Sequence, residues 1–116
     1  MQIDNDLLSI QEVRTLLPAA VKAQEEYRRF SQERIDTICA AVTDVAYRES
    51  RRLARLAVED TGMGKYEDKI TKNQFASRDL WQAIRDMKTV GILNEDRRRK
   101  IVEVAEPMGV IAAIVP

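Results

Sequence analysis

The chain has 116 residues, and its 19 Lys and Arg residues balance 19 Asp and Glu residues, which gives a formal net charge of zero. Without a net charge no global field draws the chain to nucleic acid or to an anionic membrane, so we expect neither as a partner. With no histidine and one cysteine, the sequence favours neither a zinc site nor an internal disulfide. No basic export segment or membrane-spanning run is visible, and we expect a cytoplasmic protein.

The first segment of the chain is predicted to be helical. Ser9-Ile10-Gln11-Glu12 has the spacing of a capping box, in which a Ser and a Glu side chain satisfy free backbone N–H groups at a helix start. Pro18 interrupts the pattern, yet proline is tolerated as the first residue of a helix. The segment 9–30 is therefore either two helices or one kinked helix.

A second helical region follows, with Ser31 as its predicted N-cap. Apolar residues then recur at steps of three and four, as expected for one buried face of a helix. The glycines of TGMGK, Gly62 and Gly64, are predicted to end this region. The apolar stripe consists of Ile35, Ile38, Cys39, Val42, Val45, Ala46, Leu53, Leu56 and Ala57.

The last third of the chain changes its period. A further helix is predicted from Tyr66 to about Met87, and Gly91 is predicted to end it. The stretches GIL and KIVEVAEP on either side of NEDRRRK then predict a β-hairpin with a solvated turn. The apolar run 110–115, which lies between Pro-Met-Gly and Pro116, has the length and branching of a strand buried on both faces.

Three possible chemical signals each have a simpler structural interpretation. Cys39 lies on an apolar helix face with no histidine in the chain to activate it, so we expect a core residue and no catalytic group. Gly62-Met63-Gly64 lacks the preceding strand and following GK[ST] of a phosphate loop and is better explained as a helix stop. The basic run 97–100 is flanked by carboxylates and is better explained as a hairpin tip. No metal site is expected.

Three stretches resemble the amino-terminal region of CoA-acylating aldehyde dehydrogenases: EDTGMGKYEDKITKNQFAS (59–77), MKTVGIL (87–93) and AEPMGVIAAIVP (105–116). This family includes acetylating acetaldehyde dehydrogenases and the amino-terminal half of bifunctional aldehyde-alcohol dehydrogenases. The resemblance implies an α/β, aldehyde dehydrogenase-like fold. Within it, residues 1–89 would be the helical part of the nucleotide-binding domain, 90–107 a hairpin of the oligomerisation domain, and 108–116 the first strand of the nucleotide-binding sheet.

The same resemblance implies a function. The family converts an aldehyde, CoA and NAD to acyl-CoA and NADH, and acetaldehyde is the expected substrate, although the choice of aldehyde and of NAD or NADP is left open. Ile114, Val115 and Pro116 match the first three positions of the family pattern IVP-x-TNP, which lines the cofactor, and are the expected NAD-binding residues. Cys39 does not match the family's nucleophile. We therefore expect an amino-terminal portion of a homo-oligomeric enzyme, inactive by itself, in the cytoplasm or in a bacterial microcompartment.

A second hypothesis is a helical docking or encapsulation module without catalysis, for example one that binds a microcompartment shell. It depends on the amphipathic segment 6–30, whose apolar side chains crowd one side. The rival explanation is that these side chains pack on the nucleotide-binding domain of the same enzyme. They are Leu7, Leu8, Ile10, Val13, Leu16 and Leu17.

Overall fold

The computed structural model describes residues 4–114, which separate into two compact units. Unit 1 combines the first segment of the chain, up to Phe30, with the segment that begins at Thr89. Unit 2 is continuous and runs from Ser31 to Lys88.

Unit 1 begins with one long helix, α1 (Asn5–Tyr27). Pro18 lies inside this helix, so the alternative of two separate helices is wrong. The capping box at Ser9 is also wrong: Asp4 is the N-cap, and the Ser9 hydroxyl instead donates to the Asn5 carbonyl oxygen at 2.9 Å. A hydroxyl one turn inside a helix can bond back to the carbonyl four residues earlier, which satisfies it without ending the helix.

The second part of unit 1 is an antiparallel hairpin of β1 (Gly91–Asp96) and β2 (Ile101–Ala105). Gly91 pairs with Ala105 and Asp96 with Ile101, and the register shifts between Ile92 and Asn94. The predicted hairpin is confirmed, but β1 extends to Asp96, and Gly91 begins this strand.

The basic run 97–100 forms the hairpin turn, as predicted. The Asp96 carboxylate accepts a hydrogen bond from the Arg99 backbone N–H at 2.9 Å, and Lys100 has a positive φ of 57°. Asp side chains commonly bond to the backbone of a tight turn in this way. The carboxylate before the basic run therefore helps to fix the turn.

The strand predicted for 110–115 is not formed within the described residues. Residues 110–114 are irregular, and Val115 and Pro116 lie outside the part of the chain that the structure describes. A strand of this kind needs neighbours that accept and donate its backbone hydrogen bonds. The only sheet among residues 4–114 is the two-stranded hairpin, so within these residues the segment has no strand to pair with.

Unit 2 begins with α2 (Gln32–Arg48) and α3 (Ser50–Thr61). Ser31 is the N-cap of α2, as predicted, and its hydroxyl oxygen accepts from the Arg34 backbone N–H at 3.3 Å. A break at Glu49 separates the two helices, which the continuous apolar stripe does not predict. Gly62 ends α3 in the left-handed conformation with φ 65°, and this confirms its predicted role.

The rest of unit 2 is a helical run with an irregular centre. α4 (Tyr66–Gln74) continues into a π-helical segment (Phe75–Asp79) and then into α5 (Leu80–Ile84). A π turn leaves carbonyl groups out of the regular i to i−4 pattern. The Ser77 hydroxyl, which lies inside this segment, donates to the Asn73 carbonyl oxygen at 2.6 Å and contacts that of Gln74 at 3.3 Å.

The core of unit 2 is small and partly polar. Ala54 is completely buried, and Ile70, Ser50 and Ser77 are also buried. The amide of Asn73 donates to the Ser50 carbonyl oxygen at 3.2 Å. Small side chains at Ser50 and Ala54 allow α3 and α4 to pack closely. More than half of the predicted stripe is exposed instead, namely Ile38, Val42, Val45, Leu53 and Leu56.

Candidate functional site

The predicted cofactor residues lie at the end of the described chain. Ile114 is 98% exposed, whereas Val115 and Pro116 fall outside the described residues. The prediction that these three residues bind NAD is therefore untested by the geometry. Two residues of the same segment, Val110 and Ile111, line a cleft with α1.

This cleft of unit 1 is open and has a volume of about 530 Å³. Its walls are mainly apolar, and they include Tyr27 and Phe30, whose ring centroids lie 5.4 Å apart. A dinucleotide pyrophosphate is held by helix amino termini and positive charge. The lining residues include a carboxylate, Glu26, and no cation, so they do not fit the phosphates of NAD. They are Ala20, Ala23, Gln24, Glu26, Tyr27, Phe30, Val110 and Ile111.

A second cleft, of about 410 Å³, lies in unit 2 between α2 and the π-helical segment with α5. Arg78 is one of its lining residues: the guanidinium carbon lies 4.6 Å from the centroid of the Tyr47 ring, and Nη1 donates to the Tyr47 hydroxyl at 2.7 Å. A cation over an aromatic face is attracted by the quadrupole of the ring. The cleft is lined by Ala40, Thr43, Asp44, Tyr47, Arg78 and Trp81.

The charge of Arg78 is balanced locally. Its Nε donates to the Asp79 carboxylate at 2.8 Å, and this hydrogen bond is the main reason that the pKa of Arg78 is raised above its ordinary value. Electrostatic interactions with Asp79 and Tyr47 raise the pKa further, whereas partial desolvation lowers it. Arg78 is therefore a charged group at neutral pH, and its guanidinium is bound by Asp79 and Tyr47 of the same chain.

The other candidates have no surroundings that favour chemistry. Cys39 is half-buried, and its carbonyl oxygen accepts from the Thr43 hydroxyl at 2.8 Å. Among residues 4–114 no group of three or more Asp, Glu, His or Cys side chains is arranged to hold a metal ion. No helix in this part of the chain is long and apolar enough to cross a membrane.

The hairpin tip is charged but compensated. Arg97 lies 3.7 Å from the Glu95 carboxylate, and Arg99 lies 3.7 Å from that of Asp96. Both pairs are exposed, and exposed pairs of this kind contribute little to stability. Their carboxylates do reduce the local positive charge, which supports the interpretation of this run as a solvated turn.

Sequence reasoning did not find the Tyr47–Arg78 pair. The two residues are 31 positions apart, and no local periodicity connects them. Arg78 lies in the π-helical segment. A π turn changes the angular positions of side chains along a helix. The apolar spacing of the sequence does not predict this turn, so it does not predict the position of Arg78.

Comparison with known proteins gives a consistent result. Over 108 residues, or 93% of the chain, the sequence is 42% identical to the bifunctional aldehyde-alcohol dehydrogenase of Escherichia coli K12, of which it covers 12%. It is 41% identical over 104 residues to the acetylating succinate-semialdehyde dehydrogenase of Clostridium kluyveri, covering 90% of the chain and 23% of that protein. No protein-family model matches the chain.

The fold agrees with the sequence. A solved structure described as a "probable aldehyde dehydrogenase", from Listeria monocytogenes EGD-e, superimposes with a TM-score of 0.83 at 49% identity, covering 88% of this chain and 22% of that one. An acetylating aldehyde dehydrogenase from Geobacillus thermoglucosidasius gives a TM-score of 0.83 at 44% identity, covering 89% of this chain and 23% of that one.

By sequence and by fold, the chain is homologous to aldehyde dehydrogenases. More particularly, it is related to the acetylating members of that class, as the stretch 59–77 suggests. The chain spans between 12% and 23% of the length of these curated relatives.

Proposed function

We propose that these 116 residues form part of an enzyme that converts an aldehyde, CoA and NAD to acyl-CoA, NADH and a proton. The observation that carries the proposal is the 42% identity over 93% of the chain with an aldehyde-alcohol dehydrogenase. The similarity of fold to an acetylating aldehyde dehydrogenase supports it. Acetaldehyde is the proposed substrate, as the resemblance to acetylating acetaldehyde dehydrogenases implies. Two matched proteins are named acetylating, which supports acyl transfer to CoA, although one of them names succinate semialdehyde as its aldehyde.

The proposal assigns no catalytic group to the described residues. Cys39 lies in α2, half-buried, with its neighbours supplied by the helix itself. A cysteine nucleophile needs a nearby base or positive charge that favours the thiolate, and the chain has no histidine to provide the base. The reactive thiol would therefore come from another part of the enzyme.

For the cofactor, we assign Ile114, Val115 and Pro116 to an apolar wall beside the ribose of NAD. The support is their match to the IVP-x-TNP pattern and the exposure of Ile114, which leaves its side chain available. CoA would be the co-substrate.

A homo-oligomer is proposed on the basis of the hairpin. Two-stranded sheets are marginally stable alone, and Ile92, Val102 and Val104 are each about half exposed on this one. Pairing or packing against another subunit would cover these side chains.

The test is a spectrophotometric assay of the natural polypeptide that contains this sequence. NADH formation that requires both acetaldehyde and CoA is the expected result, and Cys39→Ala should leave the rate unchanged. Aldehyde oxidation that proceeds equally without CoA would reject the acylating assignment. Loss of activity in Cys39→Ala, with normal folding, would show that Cys39 is needed for catalysis and would contradict the proposal.

One observation favours a second candidate, a docking function for α1. The helix buries none of its described side chains, and Leu16 is 69% exposed. An exposed apolar stripe can bind a partner helix or a microcompartment shell protein. Deletion of residues 1–17 tests this: retained activity with lost co-sedimentation with shells supports docking, whereas lost solubility supports packing within the enzyme.

A further inference from the structure

We infer that the π-helical segment (Phe75–Asp79) holds one residue more than a regular helix needs to join α4 to α5, and that the contact of Arg78 with Tyr47 stabilises this excess. The widened turn then leaves the packing of α4 and of α5 undisturbed.

The backbone hydrogen bonds of this helical run show the excess residue. Each N–H of a regular α-helix donates to the carbonyl oxygen four residues earlier. The carbonyl oxygen of Thr71 is one acceptor of the Phe75 N–H, and Arg85 bonds to Trp81 with the same spacing. Between these bonds, one acceptor of the Leu80 N–H is Phe75, five residues earlier. The pattern is therefore regular on both sides of a step that is one residue longer.

Contacts with other helices of unit 2 fix both ends of the segment. Just before it, the amides of Asn73 and Gln74 donate to the carbonyl and hydroxyl oxygens of Ser50, at 3.2 Å and 3.4 Å. Ser50 is buried and begins α3. Just after the segment, α5 contacts α2, and its Trp81 lines the second cleft together with Ala40 of α2. Because both ends are held, the helix between them widens to accommodate the extra residue.

Two side chains compensate for the widened turn. The Ser77 hydroxyl donates to the Asn73 carbonyl oxygen at 2.6 Å. The Arg78 guanidinium stacks on the Tyr47 ring at 4.6 Å and donates to its hydroxyl at 2.7 Å. π-helical turns are rare in proteins, so one that persists needs contacts that a regular helix would not make. The contact of Arg78 is of this kind, since it joins the widened turn to α2.

Melting of the natural polypeptide that contains this sequence tests the inference. Arg78→Ala removes the contact with Tyr47 but keeps the extra residue. Deletion of Arg78 removes both, and the Leu80 N–H can then bond to Phe75 over a regular step of four residues. The deletion variant is therefore expected to melt above Arg78→Ala, or no more than about 2 °C below it. A larger deficit, or a deletion variant that does not fold, would overturn the inference.

Thr71 provides a matched pair of variants in the regular part of α4. Its side chain is exposed and its hydroxyl donates to Glu67 of the same helix. Deletion of Thr71 rotates the following residues by about 100° relative to α3, so this variant should melt at least about 5 °C below Thr71→Ala. Equal melting of the two Thr71 variants would show that this helical run tolerates deletions at any position, and would reject the inference.

Deletion of Ala76 gives a second readout, which does not require Arg78→Ala to fold. Ala76 is exposed, and its removal takes one residue out of the segment while Arg78 stays in the chain. A crystal structure of this variant is expected to show a continuous α-helix from α4 to α5, with Trp81 still beside α2. A π turn that persists, or an α5 that has left α2, would contradict the inference.

Discussion

The guanidinium of Arg78 both stacks on the ring of Tyr47, at 4.6 Å, and donates to its hydroxyl, at 2.7 Å. Tyr47 lies near the end of α2, and Arg78 belongs to the π-helical segment. One side chain therefore links two elements that are distant in sequence. Because Asp79 holds the Nε of the same guanidinium, the arginine is oriented by two contacts at once.

A double-mutant cycle measures this link. Tyr47→Phe removes the hydroxyl and keeps the ring, and Arg78→Gln removes the charge. We expect each to lower the urea midpoint, and the two effects to be less than additive because both remove one interaction. The free energy of unfolding is followed by the fluorescence of Trp81. Strictly additive effects would mean that the two side chains are not energetically coupled. The control is Arg85→Gln, at an exposed position in the same unit.

The coupling between Tyr47 and Arg78 should not change across neutral pH. The folded pKa of Arg78 is raised above its unfolded value, mainly by the hydrogen bond to Asp79. A raised pKa of a cation gives stability that is complete below the unfolded pKa and lost only as pH rises through the folded pKa, which for arginine is far above neutrality. The cycle repeated at about pH 6 and about pH 8 should give the same coupling energy. A coupling energy that is smaller at the higher pH than at the lower one would contradict this assignment.

Ser77→Ala should destabilise unit 2 by about 1 kcal/mol, because it removes a buried hydroxyl that satisfies the Asn73 carbonyl oxygen at 2.6 Å. Thr71 provides a matched control: its hydroxyl donates to the Glu67 carbonyl oxygen at 3.2 Å, but the site is exposed. Thr71→Ala should change stability by less than about 0.5 kcal/mol. Urea unfolding measures both variants. Equal effects would show that burial of Ser77 contributes nothing.

Two serines, which the sequence presents as equivalent N-caps, should respond differently to replacement by alanine. Ser31→Ala removes the bond to the Arg34 backbone N–H and should cost about 1 kcal/mol. Ser9→Ala, inside α1, should be neutral or slightly stabilising, because alanine is the better helix former. Far-ultraviolet circular dichroism during urea unfolding measures both. Greater helix loss in Ser9→Ala than in Ser31→Ala would support the predicted capping box at Ser9.

These serines show how far local sequence signals reach. The cap at Ser31, the stop at Gly62 and the hairpin after Gly91 are encoded within a few residues, and the structure has all three. At Ser9 the same type of signal fails. Helical propensity extends upstream to Asn5, and once the helix continues, the hydroxyl bonds within it.

Features that depend on distant partners could not be predicted in this way. Ala54 is the most buried residue of the described chain, because α3 and α4 pack so closely that only a small side chain fits. The predicted apolar stripe instead contains its larger neighbours, Leu53 and Leu56. The π-helical segment has no periodic signature. The strand at 110–115 is predicted from the length and branching of its apolar run and from the family resemblance, and a strand also requires neighbours.

The proposed role of Ile114 can be tested in the enzyme that contains this sequence. Ile114→Ala removes most of an apolar side chain from the assigned NAD wall and should raise the KM for NAD by about tenfold, equivalent to about 1.4 kcal/mol. The KM for CoA should change less. Ile111→Ala, three residues earlier and also exposed, is the control and should leave both values unchanged. An unchanged KM for NAD in Ile114→Ala, with normal folding, would remove Ile114 from the cofactor site.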